Sequence, residues 1–163
     1  MAKFYAIKSV FQGKLTNVAD EQEVIDLDFV NTFNQERSAD SIEARANGLV
    51  AVTLEANVKY TFKVGMEVVT EPVLAMLMGA EYDEETQSWS AGESAPTKVY
   101  KYEGVVTLAG DDGTKLVKKM VIGKCSPVIN NAIDFSAIDL STFELTFNMM
   151  VDEDEFFKVT NNA

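Results

Sequence analysis

The stretch VAVTLEANVKYTFKVGMEV, residues 50–68, carries an apolar residue at every second position along its whole length. Such alternation predicts a β-strand with one apolar face, because successive side chains of a strand point to opposite faces. A single strand of this length would span about 60 Å, whereas common strands have about 3–10 residues. Either a bend near Ala56 and Asn57 divides it, or the strand projects well beyond its own subunit.

Shorter alternating segments lie on both sides of this strand. Residues 3–11 predict a first strand that ends at a turn formed by Gln12 and Gly13. Residues 23–30 predict a second strand, and residues 141–152 predict a late strand whose apolar side chains share one face.

A Lys-rich hairpin is predicted over residues 97–126. Its turn at residues 109–113 contains Asp112-Gly113, a pair that favours a tight reversal, and Pro127 ends the second strand. The chain thus shows seven or eight strands without regular alternation of strands and helices. This pattern predicts a mainly β fold, an antiparallel β-sandwich or barrel with one short flanking α-helix.

Three segments are expected to lack regular strands. Residues 31–49 are polar and too long for a tight hairpin, and loops of that length tend to be functional or disordered. Residues 81–96 form an acidic loop in which Trp89 either contacts a partner or folds back onto the core. Residues 128–141 have an irregular pattern.

The short helix is predicted at TEPVLAMLMGA, residues 70–80. Thr70 is a candidate N-cap, Pro72 fits the first turn, and Gly79 can end the helix with a positive φ. Its residues are apolar nearly all round, which is typical of a buried helix. We expect it to seal an open end of the sheet core, with a Met-rich groove for a partner as the alternative.

Composition excludes several function classes. The 163 residues predict one domain, without histidine and with a single cysteine, Cys125, which we interpret as a buried structural thiol. No nucleotide-binding, hydrolase or CxxC motif is present, so we expect no enzyme activity, catalytic residue or cofactor. The acidic run at residues 152–155 lacks the spacing of a calcium loop, so no metal site is expected. No apolar run is long enough for a membrane span, and the N-terminus reads as mature protein.

Charge is unevenly distributed along the chain. The net charge is −12, yet residues 98–124 are Lys-rich and lie between two acidic segments. The cationic residues of this segment are all lysines, and no base-stacking aromatic residues are interleaved with them, unlike in a typical nucleic-acid-binding surface. Three interpretations stay open: a solvated hairpin, a contact with an acidic copy of the same protein, or phosphate binding.

The order of these features resembles the major tail protein, or tail tube protein, family of long-tailed bacteriophages. The similar segments include GKLTNVADEQEVIDLDFV, ERSADSIEARANG and DFSAIDLSTFELTF, and the resemblance in layout covers most of the chain. It implies a β-sandwich with a flanking helix, six copies of which form a ring. Rings then stack into a hollow tube through which the genome passes.

The resemblance also implies partners and contact residues. The partners would be copies of the chain, the tape measure protein and other tail proteins, in the tail of a virion made in the host cytoplasm. Within the single domain 1–163, loop 31–49 and the C-terminal tail 152–163 are the candidate inter-subunit arms. The candidate contact residues are Arg37, Glu43, Arg45, Lys118, Lys119, Phe156 and Phe157.

An acidic lumen would let DNA pass without specific binding, because it repels phosphates. Strand alternation gives Asp26, Asp28, Glu55 and Glu67 as candidate lumen-facing acids. Two other functions fit the same fold. One is a carbohydrate- or receptor-binding β-sandwich that uses Tyr82 and Trp89, and the other is the tube protein of a contractile injection system.

Overall fold

The computed structural model describes residues 5–27, 30–66, 69–93, 98–128 and 143–162. Within these ranges the chain is built almost entirely of strands, with one short helix. The elements follow in this order: β1 Tyr5–Asn17, β2 Val24–Leu27, β3 Val30–Ala46, β4 Leu49–Met66, α1 Glu71–Leu77, β5 Glu81–Asp83, β6 Ser88–Ser90, β7 Tyr100–Gly110, β8 Lys115–Pro127, β9 Phe143–Met150 and β10 Lys158–Asn161.

One antiparallel sheet contains most of the strands, in the spatial order β2-β1-β7-β8-β9-β4-β3, and β10 pairs with β8 beside β9. The sheet folds over, so that the layer containing β7 packs on the layer containing β4. The ring of Tyr102 in β7 lies 5.1 Å from that of Phe62 in β4 and 5.8 Å from that of Phe33 in β3. The predicted antiparallel sandwich with one short helix is confirmed.

The interior of the sandwich is an aromatic and aliphatic core. Phe62 is fully buried and stacks on Phe147 of β9 at 4.8 Å between ring centroids. Leu15 of β1 and Ile122 of β8 belong to the same cluster from the opposite layer. Full burial of one such side chain contributes about 1.5–3 kcal/mol, so this cluster holds the two layers together.

The polar segment of residues 31–49 is not a loop, and that prediction is wrong. Residues 30–46 form β3, which pairs with β4 from Val30↔Met66 to Ala46↔Leu49. Few of the side chains of β3 reach the core, so the strand shows little apolar alternation in sequence. Its backbone N–H and C=O groups are instead paired with those of β4. The alternating run of residues 50–68 forms β4, Leu49–Met66, over its described part.

Three smaller sequence predictions also need correction. No turn forms at Gln12 and Gly13, because β1 continues to Asn17 with an irregularity in pairing between Phe11 and Gly13. The strand expected over residues 23–30 is divided between β2 and β3, which pair with different neighbours. The acidic loop of residues 81–96 contains the two-stranded hairpin β5–β6, in which Tyr82 faces Trp89.

The helix behaves as predicted at its buried face. Val73, Met76 and Leu77 belong to the core cluster, so α1 seals one end of the sandwich. Thr70 precedes the helix with an extended backbone but makes no side-chain capping hydrogen bond, unlike the expected N-cap. Gly79 follows the helix with φ of 66°, as a chain reversal at a helix end requires.

Most of the segment predicted to be irregular, residues 128–141, lies outside the described residues. Val128 is described, and its N–H donates to the carbonyl of Thr146 at 2.8 Å. The lysine-rich hairpin is confirmed as β7–β8, with Gly113 in its turn at φ of 81° and Pro127 as the last residue of its second strand.

A glycine pair gives Tyr102 its place in the core. Gly13 and Gly104 are register partners on β1 and β7, and a Cβ on either would lie 2.9 Å or less from atoms of the Tyr102 ring. The ring of Tyr102 is 1% exposed. Side chains at these two positions are therefore excluded by packing.

We predict that Gly104→Ala lowers the free energy of unfolding by about 1–3 kcal/mol, because the added methyl overpacks the ring of Tyr102. Urea unfolding followed by tryptophan fluorescence or circular dichroism measures the loss. Gly92→Ala is the matched control, since a Cβ there meets no atom within 4 Å. Equal stability of the two variants would contradict the packing described.

Cys125 is fully buried, as the sequence predicted, and its thiol donates to the carbonyl of Tyr100 at 3.3 Å. Burial raises the pKa of this thiol to about 12, so the reactive thiolate is almost absent near neutral pH. We predict that a thiol-specific disulfide reagent at pH 8 leaves the native protein unmodified. The same reagent should label urea-unfolded protein at once, and rapid labelling of the native chain would show that the site opens.

Candidate assembly surfaces

The outer parts of β3 and β4 form a two-stranded ribbon, residues 40–56, which we call the arm. The side chains at residues 40–55 are exposed, and β9 pairs with β4 only at residues 61–66. Asn47 and Gly48 close the arm with φ of 53° and 79°, the conformation of a type I′ hairpin turn. Sequence reasoning missed this turn, although Asn-Gly between two strands is the strongest short hairpin signal.

The arm exposes a group of large aliphatic side chains. Leu54 is 59% exposed and is the register partner of Ile42, which is 55% exposed. Val52 is the partner of Ala44 on the same ribbon. The complete group of exposed large apolar residues on the arm is Ile42, Leu49, Val50, Val52 and Leu54.

An irregularity separates the arm from the sandwich. Ser38 pairs with Lys59, but Asp40 pairs with Ala56, so β4 has one more residue than β3 at this point. Asn57 lies there with φ of 52°, and its side-chain amide donates to the carboxylate of Asp40 at 2.8 Å. This is a β-bulge with a left-handed residue, a conformation that asparagine tolerates better than most residues. It coincides with the bend that the sequence placed near Ala56 and Asn57.

The predicted contact residues Arg37, Glu43 and Arg45 all lie on β3, in or next to the arm. The guanidinium of Arg37 binds both carboxylate oxygens of Glu55, and this hydrogen bonding lowers the pKa of Glu55 and raises that of Arg37. Arg45 pairs with Glu43 at 3.1 Å. These exposed pairs contribute little stability.

The face of the β1–β2–β7–β8–β10 layer that points away from the core is rich in lysine, and we call it the lysine face. At its centre the Glu103 carboxylate lies 3.0 Å from Lys101 and 3.2 Å from Lys119. Hydrogen bonds from Lys101 and then Lys119 lower the pKa of Glu103 although burial opposes this. The charged strand residues on this face are Lys14, Lys101, Lys115, Lys119, Lys124, Lys158, Asp26 and Glu103.

The two predicted lysine contacts point to opposite faces of β8. Lys119 lies on the lysine face, whereas Lys118 is the register partner of Val106 on the other face and donates to the side chain of Asn161 in β10. The two residues therefore cannot act as one contact patch.

The two candidate lumen acids that are described lie on different strands, near different edges of the sheet. Asp26 lies on β2, at one edge of the large sheet, and is the register partner of Lys14. Glu55 lies on the arm near the other edge, where Arg37 neutralises it. Asp28 and Glu67 lie outside the described residues.

The C-terminal tail does not project as an arm over the part that is described. Asp152 and Glu155 form an isolated bridge, and β10 pairs with β8. The rings of Phe156 and Phe157 lie 4.8 and 5.6 Å from the ring of Tyr60. They pack on their own chain, which leaves only their remaining exposed surface for another subunit.

Acidic residues gather around α1, the β1–β2 loop and β5–β6. A cavity of about 470 Å³ opens there, lined by residues that include Asp20, Glu23, Met76, Glu84, Lys98 and Tyr100. Its Glu23 is paired with Lys98 at 2.8 Å and with Asn17 at 2.7 Å. Burial raises the pKa of Glu23, but the hydrogen bonds from Lys98 and Asn17 outweigh it and lower the pKa overall.

The described ranges contain no cluster of three or more histidine, cysteine, aspartate or glutamate side chains placed to hold a metal ion. None of the helical residues described forms a segment long and apolar enough to cross a membrane.

No protein family model and no curated protein matches the chain. A solved structure does match over 98% of this chain and 97% of its own length, with a TM-score of 0.54 and 13% sequence identity: a chain of the anti-feeding prophage (AFP) baseplate, determined by cryo-EM and 6-fold symmetrised. The two chains share one fold. A chain of the sheath–tube complex of an extracellular contractile injection system (PVC) in its extended state matches with a TM-score of 0.47 and 15% identity, over 93% of this chain and 90% of that one.

Proposed function

We propose that this chain is a structural subunit of a phage-tail-like particle and that it acts by binding copies of itself. The observation that carries the proposal is the arm, which exposes Ile42, Val52 and Leu54 on an isolated ribbon. A two-stranded hairpin alone is marginally stable in water, and contiguous exposed apolar groups mark interaction sites. Both features fit an element that is covered only in an assembly.

The proposed assembly is a ring of six copies, and rings stack into a hollow tube. The sheet has β2 and β3 at its edges, and no further strand covers either edge among the described residues. Open edges invite pairing with other chains, and closure into a ring removes them. The fold shared with a component of a 6-fold symmetrised baseplate supports six as the number of copies.

The proposed role of the tube is passive conduction of DNA, with the tape measure and other tail proteins as further partners and no catalytic activity. The net charge of −12 would repel phosphates, over about 8 Å at physiological salt. Because Asp26 and Glu55 each face a cation, we do not assign the lining to these two acids. The described excess of acid lies around α1, so that end of the sandwich is the better candidate.

The test is sedimentation velocity over a series of protein concentrations. We expect the 18.0 kDa monomer to give way to a species of six times its mass and then to larger particles. A folded monomer at every concentration would contradict self-assembly.

A contractile injection device is the second candidate setting, because the baseplate with the shared fold belongs to an anti-feeding prophage. In such a device a sheath protein surrounds the tube. Binding of a purified sheath protein, encoded beside this chain, to assembled tubes would favour the contractile setting. An operon without any sheath gene would favour a non-contractile tail.

A further inference from the structure

We propose that the apolar face of the arm docks on the lysine face of a second copy, and that the bulge at Asn57 orients the apolar face for this contact. This inference rests on the proposed self-assembly and names the surface that receives the arm. The surface that receives the arm and the residue that orients the arm are both present in the structure of one copy.

The bulge turns the apolar positions of β4 from one face of the ribbon to the other. Between the bulge and Met66, Phe62 and Val64 point into the core, and they pair with Gln35 and Phe33. Residues paired in an antiparallel ladder share a face, so this core face carries the odd-numbered residues of β3. Beyond the bulge, Leu54 pairs with Ile42, an even-numbered residue of β3. Ile42, Val52 and Leu54 therefore lie on the face opposite to the core face, whereas a second register shift after Ala44 pairs Val50 with the odd-numbered Arg45.

This orientation turns Ile42 and Leu54 away from the core that the described residues form. A regular ladder would continue the core face outward, whereas the extra residue at Asn57 reverses it. The positive φ of Asn57 belongs to this bulge, and the side-chain amide of Asn57 also donates to Asp40 across the ribbon. Ile42 and Leu54 are exposed in the single chain, and in this proposal a second copy covers them.

The lysine face has a hollow and a mixture of aliphatic and lysine side chains that can receive the apolar side chains of the arm. A hollow of about 360 Å³ lies on it, lined by residues that include Lys14, Asp26, Glu103, Val105 and Lys119. Val117 and Val121 are on the same face of β8, so aliphatic groups alternate with the lysines. An aliphatic side chain of the arm can enter such a hollow while the lysine stems cover its rim.

Charge also favours this pair of surfaces. Within the arm, the ribbon face that carries Ile42 and Leu54 bears one charged group, the carboxylate of Asp40, whereas Glu36, Lys59 and Lys63 lie on the continuation of this face along the sandwich. The lysine face carries six strand lysines against two strand carboxylates among the described residues. Opposite charge orients the encounter and disfavours contact between two lysine faces.

Deletion of Asn57 tests the orientation. It removes the bulge while the turn at residues 47–48 and the core keep both parts of the hairpin in register, so the arm is turned over. We expect the deletion variant to keep the circular dichroism spectrum of the wild type and to keep Cys125 protected from thiol reagents. The protein concentration at which it assembles should rise roughly a hundredfold or more. Asn57→Gly is the control, because glycine keeps the positive φ and should assemble like the wild type.

Cross-linking tests the receiving surface in full-length protein. A Leu54→Cys chain is mixed with a Val105→Cys chain under mild oxidation, and Cys125 stays silent because it is buried. We expect a disulfide-linked mixed dimer. Leu54→Cys mixed with Val18→Cys, an exposed valine near the acidic end, is the matched control and should not cross-link.

The outcomes separate this inference from the proposed function. A wild type that never assembles overturns the proposed function itself. If the wild type assembles but the Asn57 deletion assembles equally well, the bulge has no aiming role. If the wild type assembles and Val105→Cys cross-links no better than Val18→Cys, the lysine face is not the receiving surface.

Discussion

Phe62→Ala should lower the free energy of unfolding by about 3–5 kcal/mol, the largest loss expected from any single substitution considered for this chain. Phe62 is 0% exposed, and its ring lies within 5.6 Å of the rings of Phe33, Tyr102 and Phe147. Alanine removes the contacts of the Phe62 ring with Tyr102 and Phe147 and leaves a cavity among aromatic rings. Equilibrium denaturation in urea, with the midpoint and slope fitted separately, gives the loss.

The matched control for this variant is Leu54→Ala. Both positions belong to the alternating run of β4, but Leu54 is exposed in the monomer, so its truncation should change monomer stability by less than about 0.5 kcal/mol. Measurements are made at a concentration at which the protein is monomeric. Similar losses for the two variants would mean that β4 does not have one buried and one exposed half.

The double substitution Ile42→Thr/Leu54→Thr should prevent assembly without unfolding the monomer. Burial of an Ile or Leu side chain contributes about 1.5–3 kcal/mol, so loss of both from each arm weakens association by roughly a hundredfold or more. Because both side chains are exposed in the single chain, the unfolding midpoint should stay close to that of the wild type. Sedimentation velocity measures the first effect and urea denaturation the second.

Val18→Thr/Val151→Thr is the control for this pair. Both valines are exposed, but neither lies on the arm or on the lysine face. The control should assemble at wild-type concentrations. If the arm variant assembles as readily as this control, the apolar face of the arm is not an interface.

The elements that sequence predicted best are those whose apolar residues face the core. Periodicity of two predicted β4, and apolar residues between Pro72 and Gly79 predicted the buried helix. In both elements the sequence pattern reports burial directly. The β7–β8 hairpin was predictable for another reason, since Asp112-Gly113 encodes its turn.

β3 escaped prediction because its partner, and not the core, holds it in place. From Glu36 to Ala46 its side chains are polar or small with the exception of Ile42, so hydrophobic periodicity gives no signal. The Asn47-Gly48 dipeptide was the available signal, and it pairs the segment with β4. Only then does the polar segment read as a strand.

The assembly surfaces depend on register, which the sequence does not state. Arg37 reaches Glu55 because the bulge brings residues 18 positions apart in sequence to the same side of the ribbon. The same bulge reverses the apolar face while the alternation in sequence continues without a break in phase. In the sequence, the sign of this bulge is Asn57, a residue that tolerates a positive φ, within the alternating run. The separation of Lys118 from Lys119, by contrast, follows from strand geometry alone.

Electron microscopy of the concentrated, purified protein tests the central claim most directly. The account predicts six-fold rings with a central channel, stacked into short tubes, in which the arm of each copy lies against the lysine face of another. Fields of separate, folded monomers at the highest attainable concentration, with exposed arms, would contradict it.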